Sequence, residues 1–227
     1  METILAIETS VPDASVVLWR DGKIVFEAEF TSDRHHNSMV FEPVAQALDL
    51  LGGEKLSLAL VGTGPGSYSG IRIGIAVAQG VAIAHNCSAA GLGSLAATPE
   101  ARRKGACLAV GDARRGLYFV SPVTPGGEAM QAELMDGLTF AARLGQVPDQ
   151  ILFTLDDPTG LGLDENLGQR VVRTRPKARL LMDVWHGLDT HRREELIRQP
   201  LSPSYLRPPF TSKAKAGHPL LRKEEGS

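Results

Sequence analysis

The sequence has few cysteines and no long apolar run, and each shortage excludes a class of protein. Its two cysteines, Cys87 and Cys107, form no CxxC pair, so neither a disulfide framework nor a thiolate zinc site is indicated. No basic-then-apolar signal follows Met1, and no run of about 18 apolar residues predicts a membrane span. We therefore expect a cytoplasmic protein without membrane contact.

The chain does contain enough apolar residues for one large core or two small ones. Apolar residues make up 43% of its 227 positions, and its net charge is only −2. The charge is uneven, because residues 1–100 hold 5 Lys and Arg against 11 Asp and Glu, whereas residues 101–227 hold 19 against 15. The basic excess, which gathers after Gln169, fits either a solvated surface with a flexible tail or a surface beside RNA.

The order of elements in the first hundred residues is β-β-β-α-β-α-β-α. A short apolar run at residues 4–7 and a second at 15–19 predict strands, and Asp21-Gly22 predicts a hairpin into an alternating third strand at 23–30. Apolar residues at helical spacing follow, with Pro43 expected in the first turn or at a kink. This is the order of the ribonuclease-H-like core, the repeated unit of the actin-like ATPase superfamily.

The second half repeats this order in a shorter form. Strands are predicted at 106–110, 117–120, 131–135, 150–154 and 171–172, helices at 139–144 and 178–188, and a glycine-rich loop at 158–168. We therefore predict a two-lobed α/β fold with a first lobe at 1–100, a shortened second lobe at 101–199 and an extended tail at 200–227.

The stretch GTGPGSYSGIRIGIAVAQGVA joins a predicted strand to a long apolar helix through a glycine-rich turn. Gly64, Gly66 and Ser67 fit two alternatives: a phosphate cradle at the helix start, or a tight turn that allows close packing. No lysine stands at the P-loop position. Gly70, Gly74 and Ala78 recur every four residues, so one stripe of the helix is nearly bare and open to close approach.

The hairpins that would hold phosphate in an actin-like kinase are altered in this chain. Such a kinase needs Asp-x-Gly-Thr after its first strand, and the corresponding residues are Glu8-Thr9-Ser10; the second hairpin reads Asp112-Ala113-Arg114-Arg115. Arginines can meet phosphate, but the close backbone approach is lost. Vestigial nucleotide contacts are predicted at Thr9, Ser10, Gly64, Gly66, Ser67, Arg114 and Arg115.

Several segments in register resemble the TsaB (YeaZ) family, a bacterial partner in making N6-threonylcarbamoyladenosine in tRNA. They are ILAIETS at the start, a His-x-x-x-Met-x-x-x-Pro run from His35, the glycine stretch, GLGSLAA, GDARRGLYF and PSYLR. Between residues 121 and 198 only the layout matches. The resemblance implies two actin-like lobes and a non-catalytic scaffold, which pairs with a homologous catalytic subunit, TsaD, and a small ATPase, TsaE.

The resemblance also implies an interface built from the first two helices, with the catalytic subunit or with a second copy in a homodimer. The residues we assign to it are Met39, Val40, Pro43, Val44, Ala47, Gly70, Ile71, Gly74, Ile75 and Ala78. Contact with tRNA would be indirect, through the complex.

The metal-binding histidine pair of TsaD-like proteins has no counterpart here. Residues 87–97 contain no histidine, and the adjacent His35 and His36 fit a polar helix entrance better than a ligand pair. We predict no catalytic residue, metal or cofactor. The alternatives left open are an actin-like small-molecule kinase or ATPase and a metal-dependent, glycoprotease-like peptidase.

Overall fold

A computed structural model describes residues 2–31, 37–103, 105–124 and 131–206. Its first half contains the predicted order of strands and helices, because apolar runs and the Asp21-Gly22 hairpin define the strands locally. Both hairpin residues have positive φ, 43° and 88°, as that turn requires. The elements are β1 (Thr3–Glu8), β2 (Asp13–Arg20), β3 (Lys23–Thr31), α1 (Phe41–Asp49), β4 (Leu58–Gly62), α2 (Tyr68–His85) and β5 (Ser88–Leu92).

These strands form one sheet of order β3-β2-β1-β4-β5, in which β1, β4 and β5 run parallel. A 3-10 turn, Asn37–Val40, precedes α1, and Pro43 lies in the first helical turn. The short helix predicted after β5 is instead two 3-10 segments, Ser94–Ala97 and Glu100–Arg102. Ser94 does not cap them, because its hydroxyl accepts a hydrogen bond from Gly64 N.

The second half repeats the five-stranded sheet with the equivalent strand order, β10-β9-β6-β7-β8. The shortening lies in the helix between its last two strands: α4 has 6 residues, against 18 in α2, whereas α3 and α1 have 9 residues each. The segment predicted as a glycine-rich loop contains a 3-10 turn, Pro158–Leu161, and α4. The elements are β6 (Cys107–Asp112), β7 (Leu117–Val123), β8 (Glu133–Asp136), α3 (Gly137–Gly145), β9 (Ile151–Thr154), α4 (Glu165–Arg170) and β10 (Val171–Arg173).

Two further helices, α5 (Ala178–Gly187) and α6 (Thr190–Arg198), follow the second sheet in sequence but pack on the first. Leu181, Met182 and Trp185 of α5 join the core beneath β1 and β4, whose other face is covered by α1 and α2. Both faces of β1 are therefore buried, which explains its continuous apolar run. Residues 101–199, which the sequence analysis assigned to the second lobe, therefore end in two helices that pack on the sheet of the first lobe.

Ion pairs hold the start of α5 against the edge of the first sheet. Lys177 lies 2.7 Å from Glu29 of β3, Arg179 lies 3.7 Å from Glu27, and Arg175 pairs with Asp13. The acidic first half and the basic second half are thus matched to each other along this seam. This internal pairing accounts for part of the basic excess that also suggested a surface beside RNA.

Candidate functional site

The glycine-rich turn lies at the carboxyl end of β4 and starts α2, as predicted. Ser67 caps the helix: its backbone is extended, and its hydroxyl accepts a hydrogen bond of 3.3 Å from Gly70 N. Gly64 has a φ of 94°, in the region that favours glycine. The turn is therefore built as a tight strand-to-helix connection.

The hairpin that follows β1 fills the space which the glycines leave. A Cβ atom at Gly66 would collide with the carbonyl oxygen of Ser10. Cβ atoms at Gly70 and Gly74 would both collide with Thr9, whose hydroxyl donates a 2.8 Å hydrogen bond to the carbonyl of Gly70. The bare stripe of α2 thus faces this chain's own hairpin.

The N–H groups of the turn are also used inside the chain. Gly64 N donates to the hydroxyl of Ser94 at 3.0 Å, and Ser67 N donates to the carbonyl of Ser10 at 2.6 Å. With Gly70 N bound to its cap, three donors that a phosphate could use already have acceptors. The geometry favours the packing alternative for Gly64, Gly66 and Ser67 over the phosphate cradle.

Glu8 is the one carboxyl group completely buried in this cluster. Its Oε1 accepts a 2.7 Å hydrogen bond from Ser10 N, and its Oε2 has no hydrogen-bond partner in the described part of the chain. Burial raises the pKa of Glu8, and the Ser10 hydrogen bond offsets this only in part. Its carboxylate oxygen also occupies the space that a Cβ at Gly62 would need.

The second hairpin, between β6 and β7, is folded around its own acid. Arg114 N donates to Asp112 Oδ1 at 2.6 Å, and the Arg114 guanidinium lies 3.2 Å from Asp112 Oδ2. Arg114 and Arg115 have φ angles of 68° and 58°, and both are exposed. The structure places them at the tip of the hairpin between β6 and β7.

Most of the residues assigned to the helical interface are buried in the chain itself and offer little surface to a partner. Gly74 packs against Thr9, so a large residue at this position would disturb the fold before it disturbed any partner. Of the ten residues, Met39 is exposed and Pro43 and Gly70 are half-buried. The buried ones are Val40, Val44, Ala47, Ile71, Gly74, Ile75 and Ala78.

The same helices expose a different set of residues. Met39, Phe41 and Tyr68 are 43%, 58% and 58% exposed, and Ile83 near the end of α2 is 83% exposed. On α2 itself, Ala76, Gln79 and Gly80 are also exposed, and a Cβ at Gly80 would meet nothing. We call this set the α2 face. The sequence signal for it was a second line of small residues, at Ala76 and Gly80.

The segment 200–206, which we call the strap, crosses the glycine turn. Ser204 N donates a 2.8 Å hydrogen bond to the carbonyl of Thr63, and Tyr205 packs on the start of α2. The strap helps to enclose a cavity of about 410 Å³ between the lobes. Other residues lining that cavity are Thr63, Gly64, Leu92, Leu95, Ser121 and Leu188.

The histidines of the described chain do not gather into a ligand set. In the ranges that the structure describes, no three His, Cys, Asp or Glu side chains lie close enough to hold a metal ion. His191 is exposed, and the His186 ring packs against Trp19 at an angle of 44°, with 4.4 Å between the ring centres. His35 and His36 lie outside the described residues. Within those same ranges, no helix is both long and apolar enough to cross a membrane.

Known proteins match this chain over about half its length in sequence and nearly all of it in structure. The TsaB proteins of Escherichia coli (strain K12) and Bacillus subtilis (strain 168), both described as tRNA threonylcarbamoyladenosine biosynthesis proteins, are 35% and 30% identical over 51% and 52% of this chain. The matches span 52% and 53% of those relatives, so the chain spans about half their length. A Pseudomonas aeruginosa protein described as similar to the peptidase YeaZ superposes with a TM-score of 0.67 at 24% identity, covering 91% of this chain and 100% of its own.

Two five-stranded sheets of equivalent strand order, with a cavity between them, define a two-lobed protein of the actin-like fold. A family model described as TsaD, tRNA N6-adenosine threonylcarbamoyltransferase, matches residues 28–154, which is more than half of the chain. The chain belongs to that family. Its similarity to the two relatives named above groups it with the TsaB (YeaZ) proteins.

Proposed function

We propose that this chain is a non-catalytic subunit in the synthesis of N6-threonylcarbamoyladenosine in tRNA. In this role it binds a TsaD-like catalytic subunit, with a TsaE-like ATPase in the same assembly, and pairs with itself when alone. It acts in the cytoplasm and meets tRNA only through the complex. Its similarity to two tRNA threonylcarbamoyladenosine biosynthesis proteins supports this pathway, although the match covers about half of their length.

The observation that carries the non-catalytic role is the closed glycine turn. Its donors at Gly64, Ser67 and Gly70 already have acceptors in the chain, and the hairpin beside it buries an acid against Gly62. Phosphoryl transfer needs open phosphate and metal cradles, so this arrangement argues against the kinase alternative. No observation among the described residues favours the peptidase alternative.

The observation that supports a partner is the α2 face. Along α2, the large side chains of Tyr68 and Ile83 are exposed together with the small residues Ala76 and Gly80. Met39 and Phe41, before and at the start of α1, are exposed as well. Small residues let a second helix approach closely, and exposed apolar residues gain free energy when a partner covers them. We therefore move the proposed interface from the buried stripe to this face.

A single substitution tests the interface. Gly80→Arg places a long cation at the centre of the α2 face, where a Cβ meets nothing in the free chain. The isolated protein should stay folded, whereas its affinity for the TsaD-like subunit should fall roughly 100-fold or more, because an unpaired charge would be buried.

The matched control is Gly145→Arg, at an exposed and open helical glycine in α3 of the second lobe. This variant should bind the TsaD-like subunit like the wild type in copurification and titration calorimetry. Equal binding by Gly80→Arg and Gly145→Arg would remove the α2 face from the proposal.

A further inference from the structure

We propose that the strap couples docking of a partner on the α2 face to the arrangement of the two lobes. This inference rests on the proposed function, since it concerns the same face. It starts from the path of the strap, which contacts both lobes within six residues. Leu201 packs on the apolar core between the first sheet and helices α1 and α2, and Leu206 packs on the core of the second sheet.

The strap is fastened to α2 by a cluster of two tyrosines and an arginine. Arg72 Nε donates a 2.8 Å hydrogen bond to the Tyr205 hydroxyl, and the Arg72 guanidinium lies 4.1 Å from the ring centre of Tyr68. The Tyr68 and Tyr205 rings stack with centres 5.7 Å apart. We call these three residues the latch.

The latch lies at the exposed start of the α2 face, because Tyr68 and Arg72 are exposed residues of the first turns of α2. In water, a cation–π contact and a hydrogen bond of this kind are weak, and both become stronger when water is excluded. A partner that covers Tyr68 would therefore tighten the latch and hold the strap closed. By linkage, a closed strap favours the partner to the same extent.

The cavity between the lobes gives this coupling a structural consequence. Ser204, Tyr205 and Leu206 form part of its wall, and the Ser204–Thr63 hydrogen bond closes the strap over the glycine turn. Release of the strap would free the contact of Leu206 with the second lobe and open the cavity. Docking on α2 would thus select the closed arrangement of the lobes.

The first test uses the isolated chain and follows hydrogen exchange at the Ser204 amide. Arg72→Ala removes the two contacts that Arg72 makes in the latch, leaves the Tyr68–Tyr205 stacking, and should lower protection of this amide roughly tenfold. Arg179→Ala, which breaks an exposed ion pair far along the chain, should leave it unchanged. Equal protection in the wild type and Arg72→Ala would show that the latch does not hold the strap.

The second test separates coupling from direct contact with the partner. Leu206→Ala loosens the strap from the second lobe and leaves the residues of the α2 face unaltered. Coupling predicts that this variant binds the TsaD-like subunit roughly tenfold more weakly, with unchanged exchange in β1 as evidence of an intact fold. If Leu206→Ala binds the TsaD-like subunit as tightly as the wild type does, the coupling is wrong but the proposed function still stands. Absence of binding by the wild type would overturn the proposed function and the coupling with it, whatever the exchange at Ser204.

Discussion

The buried carboxyl group of Glu8 should make the stability of this protein depend on pH in a defined direction. Glu8 is fully buried and accepts a hydrogen bond from Ser10 N, and burial raises its pKa above the value of about 4.3 expected in the unfolded chain. Its contribution to the free energy of unfolding is therefore complete below pH 4.3 or so and is lost as the pH rises through the pKa of the folded state. Within that window this one group can remove up to about 1.4 kcal/mol per pH unit.

The substitution Glu8→Gln keeps the shape of the side chain and an acceptor for Ser10 N but cannot ionise. Urea unfolding of the wild type and the variant from pH 4 to pH 8 isolates the effect, because the other titrating groups cancel in the difference. We expect the variant to gain stability relative to the wild type as the pH rises. A difference that stays flat with pH would show that Glu8 does not titrate with a raised pKa, and a difference that falls would reverse the sign of our reasoning.

Two further predictions concern helix α2 in the isolated chain. Gly74→Ala should cost about 2 kcal/mol of unfolding free energy in urea, because its Cβ meets Thr9, whereas Gly80→Ala should gain about 1 kcal/mol, because alanine favours a helix and the space is open. Similar values for the two variants would contradict the packing of the stripe. Asn86 ends α2 with a left-handed φ of 49°, so Asn86→Ala should lower the thermal midpoint and cost about 1 kcal/mol, while Asn86→Gly should not lower it.

The first sheet could be predicted from sequence because its signals are local. An Asp-Gly hairpin, an alternating strand and two short apolar runs each define their own element, and the structure contains all of them. Helix α6 escaped prediction because it is polar and has no buried residue; its clearest signal is Asp189, whose side chain caps it by accepting from Arg192 N. Helix α4 escaped because Gly168 within it suggested a loop.

The candidate site was predicted less well, because its contacts join residues far apart in the chain. The glycine pattern indicates a close approach on α2 but does not identify what approaches. The structure shows that Thr9, 61 residues before Gly70, fills that stripe. Since α2 is apolar around most of its surface, periodicity alone could not separate its buried side from its exposed one. In the structure, Ile71 and Ile75 are buried against the sheet and so identify the buried side of α2.

The lobe on which α5 packs could not be predicted from the sequence for the same reason. Its apolar spacing predicted the helix correctly, but the order of the chain suggested that it belonged to the second lobe. Burial of Trp185 and the pairing of Lys177 with Glu29 bring it to the first sheet instead. The only sign of this contact in the sequence was the difference in charge between the acidic first half and the basic second half. That difference was equally consistent with a surface that binds RNA.

The most direct test of the proposed role is threonylcarbamoylation of tRNA by purified TsaD-like and TsaE-like proteins, with this chain added or withheld. We predict modification with the wild type or Gly145→Arg, loss of modification with Gly80→Arg, and none with this chain alone. Modification by this chain alone, or equal modification with Gly80→Arg, would contradict the account.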